Sequence, residues 1–378
     1  VSTRPSRWTI LHTEASLGWG GQEIRILSEC QWMRAQGHHV VIAASRESAL
    51  HKRAGEQGFE LFHLPFKQAT QPLDAARLAA FLLKLKPDFI GTHSSSDTWA
   101  GLSAATLARI PGRVRYRHVS TPVRPTAINR LQYRQLADHI ITTGECIRGP
   151  LIESLGVDPE KVTVVATGIT PPAFTFDREQ ARLALAEKLK LPSSARFIGS
   201  VAVLRSWKGH TVLMDAFDQL ASRFPDHHLV LAGDGPGREP FEGYKARLDA
   251  RDRIHFPGHQ SDPWPFFRAF DLSVLASVKN EGIPQSLLQA MFAESPVVGT
   301  TVGGIPEIVA DAKTGFLVPP SDSKALAQAI AATLQNETAT LQRVRAAKEF
   351  VHAHHTWNKM GEKVTAIFEA ILQRKGRA

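Results

Sequence analysis

The densest group of chemistry-bearing residues in this sequence lies between positions 277 and 291. A strand ends at about Ser277, Gly282 permits a tight turn, and Pro284 suits the first position of a helix, where its missing N–H would have no partner anyway. Residues 285–294 follow with one apolar face. The unpaired backbone N–H groups around Ile283, Gln285 and Ser286, with the positive end of the helix dipole, make an anion site. Glu281 stands just outside that end. Gln289 lies eight residues on, ~12 Å along a helix, so the two side chains can reach opposite ends of one elongated ligand. The plainer alternative is that Glu281 caps the helix and Gln289 faces solvent. Arg205 and Lys208, three apart after a strand, direct two cations to the same edge. There they could neutralise a diphosphate leaving group, or simply be solvated.

Glycine turns accompany these groups. Gly233-Asp234-Gly235-Pro236 and Gly303-Gly304-Ile305-Pro306-Glu307 each follow a strand and allow close backbone approach. In the first half, Gly20-Gly21-Gln22-Glu23 opens the first helix, where two glycines let N–H groups approach a phosphate. His118 ends the fifth strand and His93 the preceding one. A histidine there can hydrogen-bond a sugar hydroxyl or shuttle a proton, although with sixteen histidines in the chain a structural role is commoner. No D-x-D pair is present to hold Mg²⁺ or Mn²⁺ against a diphosphate. There is no G-x-x-x-x-G-K-[ST] loop, and Gly18-Trp19-Gly20-Gly21 lacks the third glycine of a dinucleotide fingerprint.

These residues must be positioned by alternating strands and helices. β-rich runs fall at 8–12, 39–44, 59–64, 89–93, 114–119, 139–143 and 162–166. Helical patterns fill 22–36, 74–86, 98–109, 127–137 and 147–155. Such alternation predicts βαβ units and a parallel sheet with helices on both faces. A break over 167–176, with Gly168, Pro171 and Pro172, reads as a linker. The alternation then restarts, with strands at 197–204, 228–232, 254–256, 272–276, 297–300 and 315–318. Long helical patterns occupy 323–334 and 341–373. Two doubly wound domains facing each other would leave a cleft at their strand carboxyl ends, where such sheets bind ligands.

Composition agrees. A length of 378 residues predicts two domains, and 43% apolar with 21% charged residues is ordinary for a globular protein. Two cysteines, Cys30 and Cys146, are too few for a disulfide scaffold and predict a reducing compartment. No apolar run reaches the ~18 residues that span a bilayer. Residues 1–8 are basic but lack a following apolar segment, so no signal peptide is read there. The expectation is a cytoplasmic protein. The net charge of +9 is uneven: residues 1–170 hold 20 Lys+Arg against 14 Asp+Glu. Between Arg109 and Arg148 stand eight basic residues and two acidic ones. That patch suits phosphates, an anionic membrane face or nucleic acid, or is a solvated surface.

Taken in order along the chain, these motifs resemble the retaining glycosyltransferases of family 4, of the cell-envelope and lipopolysaccharide type, which have the GT-B fold. Gly20-Gly21-x-Glu23, Gly37-His38, His118, Thr167-Gly168-Ile169, Lys208-Gly209, Gly233 to Pro236, Glu281-Gly282 and Gly303-Gly304-x-Pro306-Glu307 carry the resemblance. It implies an α/β fold of two Rossmann-like domains: an acceptor-binding domain over 1–170, onto which a final helix at about 357–378 packs back, and a nucleotide-sugar domain over 171–356. It implies transfer of a hexose from a nucleotide diphosphate sugar to a glycan or glycolipid, with retention, no metal and no cofactor. His118, Arg205, Lys208 and Glu281 would be the catalytic group. Gly20, Gly21, Gly233, Gly282, Ile283, Pro284, Gln285, Ser286 and Gln289 would hold the donor.

Two positions depart from the family pattern. Gln289 stands where the family has a glutamate on the nucleotide ribose; the amide keeps an acceptor oxygen but loses the charge. Val203 stands where the family has an arginine, and Arg205, two residues on and on the same strand face, is the substitute. The segment 109–148 would face an anionic membrane surface, placing the protein peripherally on the inner face of the cytoplasmic membrane, or a phosphorylated acceptor; nucleic acid is not an expected partner. Two alternatives stand beside this reading: a noncatalytic sugar-nucleotide-binding relative, and a sugar-nucleotide epimerase on the same fold.

Overall fold

Strands such as His39–Ala44 and Phe89–Thr92 bury nearly every side chain, as strands do when helices cover both faces of a parallel sheet. The computed structural model describes residues 7–67, 71–174 and 177–376; residues 1–6 of the basic N-terminus, 175–176 of the expected linker and 377–378 of the final helix lie outside them. The chain forms two units. One runs to Gly168 and takes in the chain again from Thr356; the other is Ile169–His355.

The first unit reads β1 (Thr9–Glu14), α1 (Gly21–Ala35), β2 (His39–Ala44), α2 (Ala49–Glu56), β3 (Glu60–His63), α3 (Gln71–Leu85), β4 (Phe89–Thr92), α4 (Ser95–Leu107), β5 (Gly112–Arg117), α5 (Ala127–Leu131), β6 (His139–Thr142), α6 (Glu145–Leu155) and β7 (Val162–Val164). Its described strands form a parallel sheet in the order β3-β2-β1-β4-β5-β6-β7. The second reads α7 (Arg178–Lys188), β8 (Arg196–Val201), α8 (His210–Leu220), β9 (His227–Ala232), α9 (Arg238–Lys245), β10 (Ile254–His255), α10 (Trp264–Ala269), β11 (Leu272–Leu275), α11 (Gln285–Phe292), β12 (Val297–Thr300), α12 (Ile305–Ile308), β13 (Phe316–Val318), α13 (Ser323–Gln335) and α14 (Glu337–His354). Its order is β10-β9-β8-β11-β12-β13. In each sheet the order reverses once, between β1 and β4 and between β8 and β11. Ligands of doubly wound sheets sit outside the strand carboxyl ends at such a reversal.

Three expectations are corrected. The helical pattern over 341–373 is two helices, α14 and α15 (Trp357–Arg374), broken where Thr356 turns extended and accepts the Lys359 N–H as an N-cap. The stretch 127–137 is helical but not one α-helix: it is α-helical to Leu131 and then a π-helical turn, Gln132–Leu136. Helix α2 was not foreseen: it is short and buries only Leu50 and Ala54.

Helix α15 belongs to the first unit because of what it buries. Val364, Ile367, Phe368 and Ile371 enter the same core as Trp8 and Phe89, each contributing about 1.5–3 kcal/mol. Phe368 stacks on Phe89 at 4.1 Å, and Trp357 donates Nε1–H to the Ser28 carbonyl of α1 at 2.9 Å.

Candidate functional site

In the second unit, the loops after β8 and β11 meet at the reversal of strand order. Lys208 closes a short 3-10 turn, Ser206–Lys208, after β8, and Gly209 follows with φ 67°. A Cβ at Gly209 would lie 1.9 Å from the Ala276 carbonyl oxygen, so glycine is what lets this turn lie against the end of β11. Asn280, at φ 61°, bends the chain into Glu281; asparagine tolerates that left-handed region better than most residues. Lys208 Nζ donates to Glu281 Oε1 at 2.5 Å, and Ser277 Oγ donates to the same oxygen at 2.5 Å. Thr300, at the end of β12, holds the Ser277 carbonyl at 2.6 Å.

This is an ion pair with little water around it: the Lys208 and Glu281 side chains are 17% and 6% exposed. A carboxylate so buried needs its partners. One Glu281 oxygen is taken by two donors, and Oε2 bonds no described residue. The ammonium has three donors and spends one. The site therefore offers an open carboxylate oxygen and two open N–H bonds side by side.

Other turns close around it. Gly303, at φ 54°, packs so that a Cβ would lie 2.0 Å from the Glu281 carbonyl oxygen; one at Gly304 would lie 2.7 Å from that of Gly282. At Gly233, φ 150°, a Cβ would lie 1.9 Å from the Ala202 carbonyl oxygen. Ile283 packs against the core. Pro284 is not the first helical residue as expected: it precedes the helix with ψ 115°, and α11 starts at Gln285. Nor does Glu281 cap that helix; its carboxylate is turned to Lys208 instead. Ser286 is second in α11, a position whose backbone N–H has no partner within the helix. Gln289, half-buried, bonds no described residue through its amide. Arg205 is exposed, with its guanidinium 5.0 Å over the Trp207 ring, and takes no part in the pair.

In the first unit, the corresponding edge is polar and buried. Gly20 donates its N–H to Glu23 Oε2 at 2.8 Å, and Gly21 begins α1. Beside this turn, Glu14 accepts from Ser16 N–H at 2.7 Å, from Gln22 Nε2 at 2.5 Å and from Ser94 Oγ. Burial, then the nearby Asp97 charge, pushes the Glu14 carboxyl up to about 8. Asp97, raised to about 6 by burial, is held by Thr13 Oγ1 and the N–H groups of His93 and Ser94. His118, directly after β5, places Nε2 2.9 Å from His93 Nδ1, and His93 Nε2 lies 3.0 Å from His12 Nδ1. Burial lowers all three histidines, His12 to about 4, so the rings are neutral at pH 7. Among the described residues, no group of three or more His, Cys, Asp or Glu is arranged to hold a metal ion.

Sequence reasoning did not single out His12, Glu14 or Ser277 as site residues. Glu14 ends β1 and Ser277 lies two residues beyond β11, which is the one local signal they carry; His12 lies inside β1.

The class of protein follows from two doubly wound sheets with this loop chemistry. Residues 19–171 match the family described as Glycosyltransferase Family 4, and residues 182–350 match Glycosyl transferases group 1. The chain belongs to the family 4 glycosyltransferases and has the GT-B fold. It is similar to a 2-deoxystreptamine glucosyltransferase of Streptomyces kanamyceticus, 29% identical over 336 residues, which are 80% of this chain and 84% of that protein. It is 25% identical over 387 residues to a D-inositol 3-phosphate glycosyltransferase of Corynebacterium glutamicum, covering 92% of this chain and 91% of that one. HepE from Anabaena, solved with UDP-glucose, shares the fold at a TM-score of 0.82 and 19% identity, covering 96% of this chain and 100% of that one.

Proposed function

We propose that this glycosyltransferase moves a hexose from a nucleotide diphosphate sugar to a hydroxyl of a glycan or glycolipid of the cell envelope, with retention at the anomeric carbon and without a metal. The Lys208–Glu281 pair beside the start of α11 carries this reading. The diphosphate lies against the open N–H bonds of Lys208 and the backbone N–H of Ser286 at the start of α11, which stabilise its charge as the glycosidic bond breaks. Glu281 Oε2 accepts from hydroxyls of the donor sugar. Gln289 holds the ribose, and Arg205 leaves its stack on Trp207 to assist the phosphates. The departing phosphate takes the acceptor proton, and His118 is assigned a hydrogen bond to the transferring sugar.

The glucosyltransferase relative and the UDP-glucose complex of HepE make UDP-glucose the first donor to test. A thermal-shift panel of UDP, GDP, dTDP and ADP identifies the nucleotide, because binding raises the melting temperature by mass action. Transfer assayed in excess EDTA should continue, and the product should keep the donor's anomeric configuration by NMR. Activity that disappears on chelation and returns with Mn²⁺ overturns the metal-free mechanism. Conversion of the donor without acceptor would instead indicate an epimerase, and binding without turnover a noncatalytic relative.

The acceptor side is proposed from the segment after β5. Val119, Ile128 and Leu131 are exposed, Ile128 by 62%, among exposed Arg124, Arg130 and Arg134. Among the described residues, no helix is long and apolar enough to cross a membrane. This mixture of apolar and cationic side chains suits an anionic lipid surface.

A further inference from the structure

The strand register of the first unit builds a staircase of histidines. His12 on β1 pairs with Gly91 on β4, and Gly91 pairs with Val114 on β5. His93 lies two residues beyond Gly91, level with Tyr116, and His118 two residues beyond that. Steps of two keep side chains on one face of a sheet, so the three rings climb the same face toward the carboxyl edge. The spacings of 3.0 and 2.9 Å between ring nitrogens are hydrogen bonds. Tyr116 stacks on His93 at 4.4 Å and holds that ring in place. A Cβ at Gly91 would lie 2.9 Å from His12 Nδ1, so the glycine makes room for the first ring.

Each neutral imidazole carries one N–H, and two ring-to-ring bonds use two of the three. The chain can run in only two directions. At its far end His12 Nε2 is buried and has no partner. At its near end His118 Nδ1 bonds no described residue, yet is not among the buried unpartnered atoms. If the protons pointed inward, His12 would bury an N–H with no acceptor. An orphaned buried N–H is rarer than an under-satisfied acceptor. The protons therefore point outward.

We propose that His12 and His93 are positioning residues that fix the tautomer of His118: His12 Nδ1–H donates to His93 Nε2, His93 Nδ1–H donates to His118 Nε2, and His118 presents Nδ1–H as a donor to a sugar hydroxyl oxygen. His118 then orients the sugar and is not the base that takes the acceptor proton. The last consequence rests on the assignment of His118 to the sugar; the tautomer does not.

The test is long-range ¹H–¹⁵N correlation on the full chain with ¹⁵N-labelled histidine, His118→Gln assigning the signals. His118 should show a protonated Nδ1 and a bare Nε2. The opposite pattern, or an average of the two, overturns the proposal. His93→Leu should release the tautomer, and His93→Asn, whose amide N–H stands near the place of Nδ1, should restore it; an unchanged His118 signal in the leucine variant also overturns it. Turnover should fall about tenfold in His93→Leu, the scale of one hydrogen bond, with nucleotide affinity unchanged, and should recover in His93→Asn. Undiminished transfer by His118→Ala would instead sink the sugar contact and leave the tautomer standing.

Discussion

Glu281 uses its two oxygens differently, and that division decides what its removal does. Oε1 is committed to Lys208 and Ser277; Oε2 is open to a ligand. Lys208→Ala and Glu281→Ala should each lower turnover by about 10²-fold, the scale of one preorganised electrostatic contact. Lys208→Ala also strands a carboxylate in a nearly dry site and should destabilise the second unit by about 3 kcal/mol, the low end for a broken buried pair. The double variant Lys208→Met/Glu281→Gln removes both charges. It should regain the melting temperature and not the turnover. Turnover near normal in either single variant would reduce the pair to a structural one. The Gln289 amide bonds no described residue, so its variants report on nucleotide. Gln289→Glu should keep or improve affinity, and Gln289→Leu should weaken it by about 1–2 kcal/mol; equal calorimetric affinity in all three would remove Gln289 from the ribose.

At the scale of elements, the site is set by how closely its turns approach one another. Gly303→Ala forces a left-handed residue to carry a Cβ 2.0 Å from the Glu281 carbonyl. The backbone that aims Glu281 must move, so turnover should fall with a loss of stability of about 1–3 kcal/mol. Gly361 plays the same part away from the site. A Cβ there would lie 2.0 Å from the Trp32 ring, so Gly361→Ala should loosen α15 from α1 and lower stability with little effect on nucleotide binding. Gly243 in α9 is the control, with no neighbour within 4 Å and no positive φ. Gly243→Ala should be neutral or stabilising by about 0.5–1 kcal/mol. Chemical denaturation of the three variants separates close approach from glycine chemistry in general.

The molecule as a whole should be acid-sensitive. His12 and His210 are lowered to about 4 by burial. Between about pH 6.5 and 4 the unfolded chain binds protons that these rings refuse, so stability present above pH 6.5 is lost as pH falls through that window. Glu14 acts in the opposite sense. Its carboxyl, raised to about 8, stays protonated in the folded protein where the unfolded chain has ionised it, so its stability is lost as pH rises from about 4.5 to 8. Asp97, raised to about 6, acts as Glu14 does, but His93 and His118 are lowered too, and the four histidines outnumber these two carboxyls on the acid side. Calorimetry should find the melting temperature falling steeply below pH 6, and Glu14→Gln should raise it more at pH 9 than at pH 6. A flat profile from pH 7 to 4 would contradict this. The exposed arginines after β5 predict a second bulk property, sedimentation with anionic and not neutral vesicles. It should weaken as salt shortens the Debye length from ~10 Å at 0.1 M to ~3 Å at 1 M. Changing Arg124, Arg130 and Arg134 to serine should reduce it without altering nucleotide affinity.

Apolar runs such as 39–44 and 297–300, separated by helical stretches, required parallel sheets covered on both sides, because only burial on both faces accounts for strands without alternation. Gly233 and Gly303 marked tight turns, and Lys208 and Glu281 could be named as cation and carboxylate, because those properties belong to single residues and their neighbours. Local pattern misjudged what periodicity does not encode. The break at Thr356 hides inside an apolar repeat that continues on both sides, and α2 has only two buried residues to announce it. Pairing was the province of tertiary structure. Lys208 and Glu281 are 73 residues apart, and His12 and His93 are 81. Their meeting depends on strand order and register, which the packing of both sheet faces sets over the whole unit, and a slip of one residue would turn every ring of the histidine chain to the other side.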